Sequence, residues 1–306
     1  MRILFLGAGA VGGYFGGRLV QAGADVTFLV RERRAAEVSG GLKIVSPNGD
    51  ATIPVKTVLA GDPADPFDIV ILTPKAYGLD GALDAIEPHV GAGTVVMPLL
   101  NGLAHLAKIE ARFPTATVWA GVAQIPAELT PDGTVLHKGT LAGMVVGPRD
   151  GQEATRPLAE ALVAKLQDAG ITARFTETPV QDLWNKWVFL CTLAASGCLF
   201  RGHVGEILAT DHGRDILAAL LGECSAVAES EGFRPPDAQM ENYAKMLSDP
   251  ASKWSPSMLH DLRSGKPTEA DHIIGEMIRL GRGHGLETPY LKVALSHLQV
   301  YEATRA

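Results

Sequence analysis

The hydrophobic pattern of the first thirty residues changes period twice. Leu4-Phe5-Leu6 is a continuous apolar run that ends in Gly7-Ala8-Gly9-Ala10-Val11-Gly12, after which apolar positions recur at Val11, Phe15, Leu19 and Ala22. The run reads as a buried strand and the 3.6-residue recurrence as an amphipathic helix. Asp25-Val26-Thr27-Phe28-Leu29-Val30 returns to a strand pattern and closes a β-α-β unit. Leu42-Lys43-Ile44-Val45 and Ala51-Thr52-Ile53-Pro54-Val55 flank Asn48-Gly49, which predicts an inserted hairpin. Asp68-Ile69-Val70-Ile71-Leu72 and Thr94-Val95-Val96-Met97 read as buried parallel strands, and Val118-Trp119-Ala120-Gly121-Val122 as a further strand. Short β segments around 134–137 and 144–147, a helix over 153–169 and a final strand near 172–176 complete one doubly wound domain.

From Val180 strand-like runs vanish. Helices are expected around Lys186, over 211–232, from Thr268-Glu269-Ala270-Asp271 onward and from Thr288-Pro289 onward, the last two opening with cap chemistry. The boundary falls at Glu177-Thr178-Pro179, which gives domains 1–177 and 178–306. The fold class is α/β, with an N-terminal doubly wound domain and an all-helical C-terminal one.

Composition narrows the function classes. A net charge of −7 with no long basic run speaks against a nucleic-acid surface. Met1-Arg2 before an apolar run imitates a signal peptide, but the run continues into a helix carrying Arg18 and reads as mature protein. The apolar stretch from Trp187 to Phe200 is 14 residues, too short for a membrane span and suited to a buried helix. Cys191, Cys198 and Cys224 form no metal-ligand spacing and suit reduced, buried thiols of a cytoplasmic protein. Nine scattered histidines show no metal-binding spacing, so no metal is expected. The apolar helical domain is compatible with a homodimer, although its apolar faces equally suit an internal core.

The chemistry begins at Gly7-x-Gly9-x-x-Gly12. In a strand-to-helix turn the first glycine permits the tight turn, the second lets backbone approach a pyrophosphate, and the third lets helix and strand pack closely. The phosphates then lie at the helix N-terminus, against the amides of Ala10 and Val11. At the end of the second strand stands Arg31, where an acid would select NAD; an arginine there pairs with the 2′-phosphate of NADP, so the cofactor expected is NADPH/NADP. Two later strand ends deliver Lys75 and Asn101, the positions at which ligands bind in open α/β sheets. Such a domain followed by a helical one places a cleft between them, suited to hydride transfer. Reduction of a ketone also needs a proton for the developing alkoxide. Lys186 is the only cation between Leu183 and Phe200, and desolvation by Trp184, Trp187 and Phe189 would lower its pKa; it reads equally as a lysine snorkelling from a buried helix.

These residues, with Thr73-Pro74-Lys75-Ala76, Asn101-Gly102, Trp184-x-Lys186, Ser257-Met258-Leu259-x-Asp261, Thr268-Glu269-x-Asp271 and Gly285-Leu286-x-Thr288-Pro289, resemble the motifs of the ketopantoate reductases along nearly the full chain. The resemblance implies a Rossmann domain, a helical domain like that of 6-phosphogluconate dehydrogenases, and NADPH-dependent reduction of 2-dehydropantoate to pantoate. By position, Lys186 matches the family's catalytic lysine and Glu269 a glutamate that helps hold substrate and lysine. Ser257 matches a substrate-binding serine, and Asn101 and Lys75 match polar groups lining the cofactor and substrate crevice. Each has a plain structural role as well: Glu269 as a first-turn helix acid, Ser257 as a cap after Pro256, Asn101 in a turn, Lys75 as a solvated strand end. The family's asparagines four, eight and about eighteen residues after the lysine are here Leu190, Ala194 and Val204. Leucine offers a substrate no hydrogen bond, so the expected substrate is a small 2-oxo acid, alternatively a more apolar hydroxy acid or alcohol oxidised by the same scaffold. A dinucleotide-binding module without catalysis is the remaining reading.

Overall fold

The computed structural model describes residues 1–63 and 65–305. They form two compact units, one of residues 1–100 with 105–180, the other of residues 101–104 with 181–306.

In the first unit β1 (Arg2–Leu6), α1 (Ala10–Gln21) and β2 (Asp25–Val30) form the opening β-α-β, followed by α2 (Glu32–Val38), β3 (Leu42–Val45), β4 (Ala51–Ile53) and β5 (Lys56–Leu59). Next come β6 (Ile69–Leu72), α3 (Leu79–Ile86), β7 (Val95–Pro98), α4 (His105–Arg112) and β8 (Thr117–Val118). The main sheet runs β5-β2-β1-β6-β7-β8 with every pair parallel. All of β6 and β7 is buried, as their unbroken apolar runs require. The expected hairpin forms, with Leu42 opposite Ile53.

The run 118–122 is not one strand. It divides at Trp119, with β8 on the edge of the parallel sheet and β9 (Ala120–Gln124) in a second sheet. That sheet, β13-β12-β9, joins β9 antiparallel to β12 (Gly143–Gly147) and β12 parallel to β13 (Thr172–Phe175), which follows α5 (Arg156–Asp168). The fully buried Trp119 marks the division, its indole Nε1 donating to Thr155 Oγ1 at 2.8 Å. The late strands therefore do not complete the doubly wound sheet. β10 (Ala127–Leu129) and β11 (Val135–His137) instead extend the hairpin into a four-stranded sheet, β10-β11-β3-β4.

Helix α1 lies against both the parallel and the hairpin sheet, and its glycines make that approach. A Cβ on Gly16 would stand 2.6 Å from Phe28 under the parallel sheet, while one on Gly13 would meet Val135 at 2.8 Å and one on Gly17 would meet Ile44 and Leu42 at 3.0 Å. Each glycine weakens the helix by about 1 kcal/mol relative to alanine, and the burial of the helix between two sheets offsets that cost.

The second unit is helical: α6 (Pro179–Phe200), α7 (Val204–Leu208), α8 (Gly213–Ser230), α9 (Asp237–Ser248), α10 (Ser257–Arg263), α11 (Glu276–Gly283) and α12 (Pro289–Thr304). Residues 191–198 of α6 are all buried, in keeping with a core helix. Among the described residues it is the one helix long and apolar enough to cross a membrane, and most of it is buried. The three cysteines are free and buried.

Both expected threonine caps are corrected. The amides of Tyr290 and Leu291 at the start of α12 donate instead to the Glu223 carboxylate, each at 2.9 Å, and Thr288 Oγ1 makes no hydrogen bond among the described residues. Thr268 turns its hydroxyl to Glu302 Oε1 at 2.7 Å, and the helix begins only after Glu269, with a π-helical turn over Asp271–Gly275 leading into α11.

Candidate active site

The glycine loop in the first unit is braced from three directions. Gly7 N donates to Leu29 O of β2 at 2.9 Å, and Thr73 Oγ1, at the end of β6, donates to Leu6 O at 2.9 Å. Arg34 of α2 donates through Nε and Nη2 to Ala8 O at 2.9 and 2.6 Å, and through Nη1 to Gly133 O at 2.8 Å. Because a trans peptide is planar, fixing the Ala8 carbonyl also fixes the Gly9 N–H in the opposite direction. Arg34 is thus a loop brace rather than one of several solvated arginines, a role its sequence neighbourhood does not reveal.

The loop has the steric character a pyrophosphate requires. Gly7 holds φ +95°, where a side chain would be strained; a Cβ on Gly12 would lie 2.3 Å from Gly7 O and 2.6 Å from Thr73 Oγ1. At Gly9 a Cβ would meet nothing within 4 Å, so that glycine serves no packing need of the protein. The first bond of α1 runs from Gly13 N to Gly9 O at 2.8 Å, which leaves the amides of Ala10, Val11 and Gly12 without intrahelical acceptors. No side chain caps this end, and its first turn carries no acid. A helix N-terminus in this state suits an anion. These residues fit a dinucleotide. Arg31, exposed directly beyond β2, and Lys75, half-buried directly before a short 3₁₀ turn at Ala76–Gly78, stand at strand ends of the same unit.

The second unit holds the titratable group of most interest. Lys186 lies in the first half of α6, next to the buried Trp184 and Trp187, whose rings are 4.8 Å apart. Burial lowers its pKa from 10.5 to about 8, against the opposing pull of the Glu269 carboxylate, itself buried. The ammonium is therefore both desolvated and paired, and it exchanges its proton near neutrality. Trp187 ties the two elements together, donating from Nε1 to Ile273 O, within the π turn, at 3.0 Å. Such turns frequently mark functional sites. Glu269 stands immediately before this helix rather than inside its first turn, and its own carbonyl accepts Ile273 N–H at 2.9 Å.

Asn101 also belongs to this unit. Its carbonyl accepts a hydrogen bond from His272 Nε2 at 2.7 Å, and since a carbonyl only accepts, the ring carries its proton on Nε2. Gly102, at φ +77°, packs on the same imidazole. The π turn thus holds Asn101 on one side and Trp187 on the other. Ser257 is exposed as the first residue of α10, one past the Pro256 N-cap, and among the described residues its hydroxyl accepts no capping N–H, which removes its plain structural reading. Leu190 shares the face of Lys186 one turn on and is half-buried, whereas Ala194 and Val204 are sealed. Sequence reading missed Arg34, Trp187 as an anchor, and His272, because each is defined by a partner distant along the chain.

Comparison with known proteins finds matches along most of the chain. The model of the family described as ketopantoate reductase PanE/ApbA matches residues 3–151, and that of its C-terminal part matches residues 180–302. The uncharacterized oxidoreductase YkpB of Bacillus subtilis strain 168 is 33% identical over 308 residues, covering 100% of both chains. A structure of D-mandelate dehydrogenase with NADH and anilino(oxo)acetate is similar at TM-score 0.88 and 26% identity, covering 99% of each chain. A 2-dehydropantoate 2-reductase from Geobacter metallireducens GS-15 is similar at TM-score 0.87 and 28% identity, covering 99% of this chain and 100% of that one.

The loop geometry separates two glycine substitutions. Gly12→Ala should destabilise the protein by about 1–3 kcal/mol through overpacking, whereas Gly9→Ala should leave the melting temperature unchanged and weaken dinucleotide binding by about tenfold or more, one hydrogen-bonded contact or a steric clash being worth at least 1.4 kcal/mol. Thermal melts and calorimetric titration with dinucleotide check both; equal loss of stability in the two variants would contradict the assignment of Gly9.

Proposed function

The chain belongs to the ketopantoate reductase family, and on that premise we propose that it is an NADPH-dependent reductase of a small 2-oxo acid, with the first unit holding the dinucleotide and the second the substrate. It is an oxidoreductase of the class that acts on CH–OH groups. The observation that carries the finer reading is the buried Lys186–Glu269 pair, since a lysine brought to about 8 can give up a proton at neutral pH. Arg31 at the end of β2 supports the choice of NADPH, as its guanidinium suits a 2′-phosphate and there is no acid at that position to accept from a 2′-hydroxyl.

Reduction adds a hydride to C2 of the 2-oxo acid and a proton to its oxygen, giving the 2-hydroxy acid. The reduced dinucleotide, when bound, supplies the hydride and is left oxidised. Lys186 Nζ donates the proton as negative charge gathers on the oxygen, and the neutral amine regains one from solvent. Glu269 keeps Nζ charged until that moment, because its carboxylate opposes the desolvation that would strip the proton earlier. Ser257 and Asn101 orient the substrate's polar groups.

A second reading runs the same chemistry as oxidation of a more apolar hydroxy acid. The half-buried, apolar Leu190 favours it, as does the likeness to D-mandelate dehydrogenase. A panel of 2-oxo and 2-hydroxy acids assayed with both dinucleotides separates the two directions.

Lys186→Ala should lower kcat of the reduction by about 10²–10⁴-fold, the range for loss of a general acid; turnover equal to that of the unaltered protein would remove Lys186 from the mechanism. For the intact protein the sign of the pH dependence follows from the acid role. Lys186 is protonated below its pKa, so kcat/KM for reduction should hold steady up to about pH 8 and fall above it, while oxidation should rise towards the same point. Arg31→Ala should raise KM for NADPH by about tenfold or more with little change for NADH, the loss of one charge-assisted contact being worth at least 1.4 kcal/mol.

A further inference from the structure

Helix α6 is sealed over residues 191–198, yet its first half stays partly open at Val180, Gln181, Asp182, Asn185, Lys186, Phe189 and Leu190. At 3.6 residues per turn, Leu190 stands about 40° to one side of Lys186 and Phe189 about 60° to the other. An apolar pair therefore brackets Lys186 on the partly open first half of the helix. Phe189 is fixed: its ring stacks on Tyr243 of α9 at 4.8 Å and 18°, and Tyr243 OH donates to Asn185 O at 2.7 Å.

The segment before α10 crosses the same face. Pro256 packs so closely on Gly197 that a Cβ there would stand 2.6 Å from Pro256 Cδ, and Gly197 follows Lys186 by three helical turns. About two turns closer to Lys186, Trp254 meets the Phe189 ring edge-on at 6.2 Å and 80°. The backbone of Trp254 is held on both sides, its carbonyl accepting Val204 N–H at 3.1 Å and its N–H donating to Ser252 Oγ at 3.3 Å. Its side chain is nevertheless 48% exposed. A tryptophan with a fixed backbone, left open beside a half-open phenylalanine, leaves apolar surface in water, and a ligand that covers it recovers that free energy. Three residues on, Ser257 is exposed at the start of α10.

We propose that Phe189, Leu190 and Trp254 form an apolar wall for an aryl side chain of the substrate, so that the site selects aryl 2-oxo acids over small aliphatic ones. The inference rests on the reading of Lys186 as proton donor to a 2-oxo acid. Trp254 is then a specificity-determining residue.

The test measures kcat/KM with NADPH for phenylglyoxylate and for pyruvate, together with their dissociation constants by calorimetry in the presence of NADP⁺. Phenylglyoxylate should exceed pyruvate by about 100-fold or more in both readouts, in line with what a filled apolar pocket discriminates. Trp254→Ala should reduce that selectivity ratio about tenfold or more, Trp254→Phe should restore most of it, and Leu190→Asn should lower it independently of any change at Trp254. Pyruvate used as well as phenylglyoxylate, or a ratio that Trp254→Ala leaves intact, would overturn the aryl wall while leaving the reductase reading in place. Turnover of neither acid would remove both.

Discussion

An ammonium group held in a desolvated setting is the constraint on which the second unit is built. Moving the pKa of Lys186 from 10.5 to about 8 corresponds to roughly 3 kcal/mol of bias towards the neutral amine. A lysine left alone in such surroundings would hold its proton less tightly still. Glu269 opposes that tendency, and its position is not left to a flexible loop. The Trp187 indole reaches from the residue after the lysine to the π turn that follows the glutamate, while His272 of that turn holds the Asn101 carbonyl. One short irregular helix thereby fixes three of the groups assigned to substrate and proton.

The first unit meets an analogous demand with backbone instead of charge. Its task is to present amides to an anion without letting the loop collapse onto them. Arg34, Thr73 and the Leu29 carbonyl hold the loop from outside, while Gly12 lets the helix start approach it from within. The glycine-rich face of α1 continues the same economy of space, admitting Phe28 on one side and the hairpin sheet on the other. A helix so poor in side chains has little stability of its own, and its shape is imposed by what packs on it.

Much of this was legible in the residues because it is local. The glycine loop, the buried runs of β6 and β7 and the Asn-Gly hairpin each carry their pattern within a few positions. The run 118–122 was not, since both sides of Trp119 alternate alike and only long-range pairing with β12 assigns Ala120–Gln124 to another sheet. The threonine caps failed for a related reason: Glu223 and Glu302, far away in sequence, take the partners that Thr288 and Thr268 were expected to hold or be held by. Arg34 shows its role only once the Ala8 and Gly133 carbonyls, distant along the chain, are brought to it. Lys186 stands out locally as the lone cation of an apolar helical run and Glu269 only through the family resemblance, whereas Trp254 carries no motif and is visible only where its fixed backbone and open ring appear together.

Direct titration of the Lys186 ammonium tests the central claim most closely. In protein carrying isotope-labelled lysine, the Nζ-adjacent carbon resonance should titrate at about 8 in the intact chain and lower still in Glu269→Gln, because the carboxylate raises what burial depresses. A titration at the ordinary 10.5, unmoved by Glu269→Gln, would contradict the account.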